Sequence, residues 1–413
     1  MRVVYERCAG LDVHKKTVVV CRITPHGDGG WQKEVRTFGT FTDELLMLSD
    51  WLVAVGVTHI AMESTGVYWK PIYNLLEGTF ETILVNAHHI KFVPGRKTDV
   101  NDAQWIGELL QHGLLKASFI PPVEQRDLRD LTRYRTQLIQ DRTREINRVQ
   151  KVLEDANIKL GSVASNVLGV SGREMLEQLI AGQDDPMQLA QLARGRLRQK
   201  IADLERALKG NMRDSHRTLI KFHLEHIDEL NARITALSEE IDRLLAPFDT
   251  VDAIQRLDAI PGVNAVTAQI IVSELGLDME RFPTAGHAAS WVGLVPGRNE
   301  SAGRNQSSRT RKGNKYLKTA LVQAAHAAGR RKDNYLGAQY RRIASRRGKK
   351  RAAVAVAHSI LVIAYHMLKR GTEYIEHGGD YFDKRNEEQL QHRLVKRLEG
   401  LGYQVTIETS SVA

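Results

Sequence analysis

The sequence predicts a mixed fold class, α/β plus all-α, with the α/β part at the amino-terminal end. Up to about Lys116, short apolar runs typical of strands alternate with runs of helical period. Pro121 and Pro122 then interrupt the pattern, because neither residue can continue a helix. Beyond them, apolar residues recur three and four positions apart, which predicts long helices. A chain of 413 residues is long enough for two or three domains, each with its own core.

The elements of the α/β part are predicted in the order of the chain. Strands are expected at residues 3–11, 18–23, 31–38, 59–63 and 81–85. Helices are expected from Thr42, as the N-terminal cap, to Leu52, and over residues 69–76. Three meandering strands are thus followed by alternating strands and helices. This order places Asp12 at the end of the first and central strand.

Four carboxylates are candidates for one divalent-metal site. Asp12 and Glu63 each follow a strand-like run, and Asp99 and Asp102 lie three residues apart, on one face of the helix that Asp99 would open. Four converging carboxylates repel one another, so hard divalent cations, with magnesium expected, best explain such a site. Divalent ions bound at such a site can assist the cleavage of a phosphodiester bond. The alternative is that each acid is only a helix cap or a turn residue.

The net charge of +10 is unevenly distributed along the chain. Residues 298–351 contain 17 Lys or Arg and two acids, so this segment carries +15 and the remainder −5. Such a segment predicts contact with a polyanion, and nucleic acid is the expected one. A solvated helix face, the alternative, normally mixes both signs. The predicted nucleic-acid-binding residues are Arg298, Arg304, Arg309, Arg311, Lys312, Lys315, Arg341, Arg342, Arg346, Arg347, Lys349, Lys350 and Arg351.

Composition predicts a soluble, cytoplasmic protein without a membrane contact. The two cysteines, Cys8 and Cys21, form no CxxC pair, which fits a reducing compartment and argues against a cysteine zinc site. A signal peptide is not expected, since charged residues interrupt the first apolar run. No stretch is expected to reach the length of a membrane span, because the longest apolar helix, residues 352–368, contains His358 and His366.

The middle of the chain predicts paired long helices. Residues 123–158 carry a narrow apolar stripe beside many Arg and Gln, and a second helical stretch begins near Ser215. In it, apolar residues step alternately by three and four, which is typical of a coiled coil. This seam consists of Ile227, Leu230, Ile234, Leu237, Ile241 and Leu244. A coiled coil here can hold protomers together or grip RNA or DNA along its basic face.

Residues 257–263 and the apolar run that follows resemble a helix-hairpin-helix. Its Pro261-Gly262-Val263 turn would present backbone N–H groups and a helix N-terminus to a phosphate. A plain helical turn is the alternative.

Residues 293–314 form a loop by composition, and residues 315–328 then predict a helix. The Ser301 hydroxyl lies among Arg298, Arg304 and Arg309, whose guanidinium groups can hold a phosphate and offset the charge that builds on it. Ser301 is therefore a candidate nucleophile, with an ordinary loop hydroxyl as the alternative.

Three segments together resemble a known family. Residues 10–16, 62–69 and 97–103 resemble the DEDD transposases of the insertion-sequence-110 type, which are bridge-RNA-guided recombinases related to the Piv DNA invertase. The resemblance implies an acidic catalytic tetrad at Asp12, Glu63, Asp99 and Asp102. It also implies an N-terminal RuvC-like domain with an RNase H fold.

The loop resembles the C-terminal transposase domain of the same family. Residues 296–303 match its Pro-rich stretch ending in Ser-Gly, and residues 310–314 match its Ser/Thr-Lys-x-Gly-Asn segment. The resemblance implies that Ser301 is the nucleophile. Ala302 stands between serine and glycine, where many members have no residue, and Arg311 stands where many have Lys. These differences leave Ser307 and Ser308 as alternatives.

The resemblance implies a function and a domain division. The function is a DNA transposase-recombinase that excises and inserts a mobile element, guided by an element-encoded bridge RNA. Its composite site, with the acids of one protomer and the serine of another, implies a dimer or tetramer. Residues 1–120 are predicted as the RuvC-like DEDD domain and 121–250 as the coiled-coil domain. Residues 251–370 are predicted as the C-terminal transposase domain, and 371–413 as a tail without assigned function.

Three alternative functions remain open at this point. A RuvC-like junction nuclease would cut with metal-activated water and leave no protein on the DNA. A Piv-type invertase would share the motifs and rearrange different DNA. A non-catalytic nucleic-acid-binding scaffold would bind irrespective of magnesium and of Asp12→Ala.

Overall fold

The chain divides into two compact units, Met1–Pro121 and Pro122–Ala413. The computed structural model describes residues 2–27, 29–64, 66–86, 102–246, 250–297, 300–301, 304–305, 309–385 and 387–406. The first unit contains a sheet with helices, and the second is mostly helical. The mixed fold class predicted from the sequence is confirmed at this level, and the division into four domains stays a prediction.

The first unit is built on a five-stranded sheet. Its strands are β1 (Cys8–Val13), β2 (Thr17–Pro25), β3 (Trp31–Gly39), β4 (His59–Glu63) and β5 (Glu81–Val85). The spatial order is β3-β2-β1-β4-β5, with β1, β2 and β3 antiparallel and β4 parallel to both β1 and β5. The first strand is therefore central, as the sequence predicts.

Helices cover both faces of this sheet. Alternate residues of β1 point to opposite sides, so this one strand contacts helices on each face. The helices are α1 (Thr42–Val53), α2 (Trp69–Leu76) and α3 (Asp102–Gln111). Leu11 lies in one core cluster with residues of α1 and α2, and Cys8 lies in another with residues of α3. The expected cap at Thr42 is wrong by one residue, since Phe41 occupies the cap position and Thr42 is already helical.

Helix α3 lies directly on the central strand. A Cβ atom added to Gly10 would lie 2.2 Å from both the Ala103 O atom and the Gly107 N atom. Only a residue without a side chain allows this approach of helix backbone to strand backbone. Burial in this core raises the pKa of Cys8 to about 12 and that of Cys21 to about 11, so both thiols stay protonated at neutral pH.

The second unit consists mainly of helices. In chain order they are α4 (Val123–Asp155), α5 (Leu160–Val163), α6 (Val170–Ile180), α7 (Pro186–Gln191), a 3-10 helix (Gly195–Lys200), α8 (Ile201–Leu208), α9 (Asp214–Leu245), α10 (Thr250–Asp258), α11 (Ala265–Leu275), α12 (Ala285–Val292), α13 (Lys315–Arg330), α14 (Tyr335–Arg347), α15 (Lys349–Arg370), α16 (Tyr381–Arg385) and α17 (Glu387–Glu399).

The two long helices α4 and α9 pack against each other in opposite directions. Leu128 near the start of α4 shares a cluster with Leu245 at the end of α9, and Leu153 near the end of α4 shares another with Ile220 near the start of α9. Polar contacts connect them as well, such as the hydrogen bond of 2.9 Å from Arg142 Nη1 to Asn231 Oδ1. The shorter helices α6, α7 and α8 pack against the far end of this pair.

The helices from α10 to α15 form a second core around α15. By length and composition alone α15 could cross a membrane, contrary to the expectation from the sequence. Half of its most apolar window is buried inside the protein, and Val356, Ile360 and Leu361 are fully buried. Helices α10 and α11 flank a tight turn at Gly262, whose φ of +90° is in the left-handed region. A phosphate-binding role of this turn stays a prediction.

We predict that Gly10→Ala destabilises the first unit. The added methyl group would overlap the backbone of α3, and overpacking of this kind costs about 1–3 kcal/mol. The measurement is thermal and denaturant unfolding of the full chain. Gly27→Ala is the matched control, because a Cβ there meets nothing within 4 Å. Equal unfolding of the two variants would contradict the close packing described above.

Candidate active site

Two predicted acids, Asp12 and Glu63, end neighbouring parallel strands. The pairing of β1 with β4 ends at Leu11 and Met62. Asp12 and Glu63 are the next residues on each strand, so their Cα atoms are separated by about one strand spacing, ~4.8 Å. Asp12 points to the side of the sheet that α3 covers, since Gly10, two residues earlier, contacts α3. The structure therefore brings these two acids together.

Asp102 lies toward the same end of the sheet. It is the first residue of α3, and the next residue, Ala103, lies against Gly10 of β1. At the other end of α3, the Gln111 carbonyl accepts a hydrogen bond of 3.1 Å from Tyr5 N, just before β1. Helix α3 thus runs opposite to β1, and its N-terminus lies near the carboxyl end of that strand. Asp102 is therefore on the side of Asp12.

The fourth predicted acid, Asp99, lies outside the described residues. Within the ranges that the structure describes, no group of three or more His, Cys, Asp or Glu side chains is placed to hold a metal ion. The donor chemistry of Asp12 and Glu63 fits a hard divalent cation, for which carboxylate oxygens are preferred ligands. These two ligands alone do not complete a coordination shell.

His14 is a neighbour of Asp12 that the sequence analysis did not single out. Its Nε2 atom lies 3.1 Å from Asp12 Oδ2, and its side chain is more exposed than that of Asp12. The signal in the sequence was proximity alone, since His14 lies two residues beyond Asp12, just after β1 ends at Val13.

The segment with Ser301 contains a small β-hairpin, so the expectation of an irregular loop is wrong in part. Strand β6 (Glu300–Ser301) pairs antiparallel with β7 (Arg304–Asn305), and Ser301 is opposite Arg304. Two residues connect the strands. Ser301 is thus the last paired residue before the closed end of the hairpin. Arg298, Ser307 and Ser308 lie outside the described residues.

The two chain segments that precede and follow this hairpin are also paired. We call residues 293–313 as a whole the Ser301 arm. The Gly297 N–H donates to the Arg309 carbonyl at 3.0 Å, and the Arg311 N–H donates to the Val295 carbonyl at 3.2 Å. These bonds form the stem of residues 295–297 and 309–311, with Ser301 at the other end of the segment. The backbone of Ser301 therefore belongs to an arm whose base, between α12 and α13, is defined by paired backbone.

Two glycines hold the base of this arm together. Gly293 has a φ of +80°, and a Cβ there would lie 2.7 Å from the Arg311 carbonyl oxygen. A Cβ on Gly313 would lie 2.5 Å from the Val292 carbonyl oxygen. The ends of the segment approach so closely that neither position accommodates a side chain.

The described basic residues form two groups on the surface. Most are exposed, whereas Arg342 is half-buried beneath Phe382, with its Cζ atom 5.5 Å from the ring centre. The first group lies on the C-terminal side of the Ser301 arm and at the start of α13, and it consists of Arg309, Arg311, Lys312 and Lys315. The second group lies on α14 and at the start of α15, and it consists of Arg341, Arg342, Arg346, Arg347, Lys349, Lys350 and Arg351. Of Arg304 only the backbone is described.

Comparisons with known proteins identify the family. Residues 9–158 match the family model of the IS110 DEDD transposases, described as "Transposase". Residues 254–341 match the model described as "Transposase IS116/IS110/IS902 family". The chain belongs to this transposase family. The two matches include the sheet edge with Asp12 and Glu63 as well as the arm with Ser301.

Curated relatives of this transposase carry corresponding names. The chain is 27% identical over 322 residues to a "Probable family 20 transposase" of Pseudomonas aeruginosa, covering 76% of this chain and 85% of the relative. It is 25% identical over 374 residues to the "Transposase for insertion sequence element IS1111A" of Coxiella burnetii, covering 88% and 90%. An "Insertion element IS116 uncharacterized 44.8 kDa protein" of Streptomyces clavuligerus is 24% identical over 344 residues, covering 74% and 84%.

Family membership has three direct consequences for this transposase. Its substrate is DNA, its activity belongs to enzymes that cleave and recombine DNA, and a DEDD family implies the use of a divalent metal ion. The last agrees with the carboxylate chemistry at the ends of β1 and β4.

We predict that the α14 arginines contribute to DNA binding. The double variant Arg346→Ala/Arg347→Ala should weaken binding to DNA of any sequence, because two phosphate contacts are lost. The plot of log K against log salt should become shallower by about 0.9 for each contact. Lys396→Ala/Arg397→Ala in α17 removes the same charge outside the matched segments and serves as control. Fluorescence anisotropy at several salt concentrations measures both. Equal slopes would contradict the assignment.

Proposed function

We propose that this transposase excises and inserts an insertion sequence by DNA strand exchange, with Ser301 as the nucleophile. The observation that carries this proposal is the backbone position of Ser301 at the end of a paired arm. We propose that this arm reaches bound DNA and brings Ser301 to a backbone phosphate. Exposed cations on the same arm, such as Arg309 and Arg311, suit a phosphate substrate.

The proposed reaction is an exchange of phosphate esters. The Ser301 Oγ atom attacks a backbone phosphorus, and the bond from phosphorus to one strand oxygen breaks. The serine proton is lost, the leaving oxygen gains a proton, and the protein is joined to the other DNA end as a phosphoserine. Attack by the hydroxyl of a second strand rejoins the DNA and restores the serine. Because one ester replaces another, no ATP is required.

The acidic residues are proposed to hold Mg²⁺ through Asp12, Glu63, Asp99 and Asp102. When bound, such an ion would polarise a phosphate and stabilise the leaving oxygen. The support is the side-by-side position of Asp12 and Glu63 on parallel strands, with Asp102 at the same end of the sheet. The sheet order supports assigning the first unit to the RuvC-like RNase H folds.

A complete site is proposed to require more than one protomer. The acids and Ser301 belong to different compact units of the chain. We propose a dimer or tetramer in which the acids of one protomer act with the serine of another. Helices α4 and α9 pair antiparallel, and we assign them as a coiled coil that contributes to this assembly.

The target is proposed to be chosen by a bridge RNA that the element encodes. Two groups of basic residues lie on separate parts of the second unit, one on the Ser301 arm and one on α14 with the start of α15. RNA backbone contacts suit them as well as DNA contacts do, because both are phosphate contacts. Alternatives with the same fold, a junction nuclease and a Piv-type invertase, are outcomes of the tests below.

We predict that excision requires both Ser301 and Asp12. In cells that carry the gene with its native flanks on a plasmid, Ser301→Ala and Asp12→Ala should each lower the rejoined junction by about 10³-fold or more. Quantitative amplification of the junction is the measurement. DNA-linked protein should be recovered only when Ser301 is present. Asp43→Ala, an exposed acid on α1, is the control and should retain excision.

The other outcomes separate the alternatives. Junctions that persist in Ser301→Ala but disappear in Ser307→Ala or Ser308→Ala would move the nucleophile to that serine. Nicked DNA without attached protein, requiring Asp12 only, would identify a water-using junction nuclease. Inversion of the flanked segment without excision would identify an invertase.

A further inference from the structure

Glu274 is a buried acidic residue that neither the family resemblance nor the proposed chemistry uses. It lies near the end of α11, and its side chain is 1% exposed. A buried carboxylate is unstable unless cations and hydrogen-bond donors surround it. Its position in the protein is therefore defined by its partners, which come from two other parts of the second unit.

The first partners of Glu274 are arginines of the long helix α4. Arg133 donates from Nε to Oε1 at 2.6 Å and from Nη2 to Oε2 at 2.8 Å. Arg129 Nε lies 3.5 Å from Oε2 and also donates to the Ser273 carbonyl at 2.9 Å. Burial lowers the pKa of Arg129 to about 10, so the group remains charged at neutral pH. Helix α11 is thereby tied to α4 by a two-point ion pair.

The second partner is Asn314, at the base of the Ser301 arm. Its Nδ2 atom donates to Glu274 Oε2 at 2.6 Å, while its Oδ1 atom accepts from Tyr316 N and Leu317 N at 3.1 Å each. Asn314 is thus the N-terminal cap of α13. The same residue donates its backbone N–H to the Trp291 carbonyl on the other side of the arm, at 3.3 Å. Asn314 contacts both ends of the arm at once.

We propose that Glu274 is a positioning residue that sets the direction of the Ser301 arm by holding Asn314 against α11, which Arg133 in turn ties to α4. This inference rests on the proposed function of Ser301 for its catalytic consequence, but not for its structural one. The arm leaves the core between Gly293 and Gly313, and the side chain of Asn314 is next to the second of these. A small rotation at this base is amplified at the far end, where Ser301 lies. A misplacement of about 1 Å at reacting atoms can lower a rate by about 10²-fold.

The chain offers a substitution that breaks this link and leaves the helix cap intact. Asn314→Asp keeps an oxygen acceptor for the cap, and Asp is as good a cap as Asn. It replaces the amide donor by a carboxylate that faces Glu274, so the contact becomes repulsive. Adding Glu274→Gln returns an amide donor to the pair and conserves the total charge beside Arg133. The swapped pair therefore restores the contact with residue 314 with its donor and acceptor exchanged. It loses the Arg133 Nη2 bond to Oε2 and keeps the Arg133 Nε bond to Oε1.

Two measurements test the inference in the full chain. Hydrogen exchange should be faster in Asn314→Asp for the stem amides of Gly297 and Arg311, and near the wild-type rate in Asn314→Asp/Glu274→Gln. The rejoined junction in the excision assay should fall by about 10²-fold in the single variant and recover by at least about tenfold in the double variant. Gln269→Ala is the control, because it removes another buried α4–α11 contact, with Arg135 at 2.7 Å.

Each result decides one of the two claims. Unchanged exchange at the stem in Asn314→Asp, or an equal acceleration in Gln269→Ala, would overturn the positioning role. Acceleration that the swap reverses, together with loss and recovery of the junction, supports it. If the swap reverses the exchange but Ser301→Ala still makes junctions, Glu274 positions the arm and the serine chemistry is wrong.

Discussion

The close contact of α3 with β1 is the constraint on which the candidate metal site depends. Gly10 and Gly107 allow two backbones to approach where side chains would separate them. The N-terminus of α3 is thereby placed near the end of β1, next to the strand that ends at Glu63. The positions of Asp12, Glu63 and Asp102 at one end of the sheet are therefore set by the backbone, and a cation bound there would offset the repulsion between acids that converge on it.

The proposed nucleophile of the second unit is supported in a different way. The backbone of Ser301 belongs to a hairpin of two-residue strands, and the base of its arm is closely packed at Gly293 and Gly313. A closely packed base would let such an arm carry the proposed nucleophile to a DNA substrate. Removing the Glu274 carboxylate from water costs free energy that its ion pair only offsets. We therefore assign this residue to directing the arm more than to stabilising the fold. The acids and the serine therefore need different kinds of support.

Much of this architecture could be predicted from the sequence, because strands and helices have local periodic signals. The five strands and the long helices α4 and α9 appear near their predicted positions. The pairing around Ser301 was missed, since Gly, Ser and Arg hide a short hairpin in a composition typical of loops. Glu274 was missed for another reason: its partners Arg133 and Asn314 are distant in sequence, and no local pattern connects them. Asp99 remains a sequence-based prediction.

The start of α15 has a consequence for the free protein. Lys349, Lys350 and Arg351 occupy its first turn, where the helix dipole is positive and acidic residues are preferred. Each such cation disfavours the helix by roughly 0.3–1 kcal/mol in the absence of an anion. The same helix continues into the core through Val356 and Ile360. A polyanion bound at this turn would therefore offset the unfavourable interaction between these cations and the helix dipole. The C-terminal core should then be more resistant to heat when nucleic acid is bound.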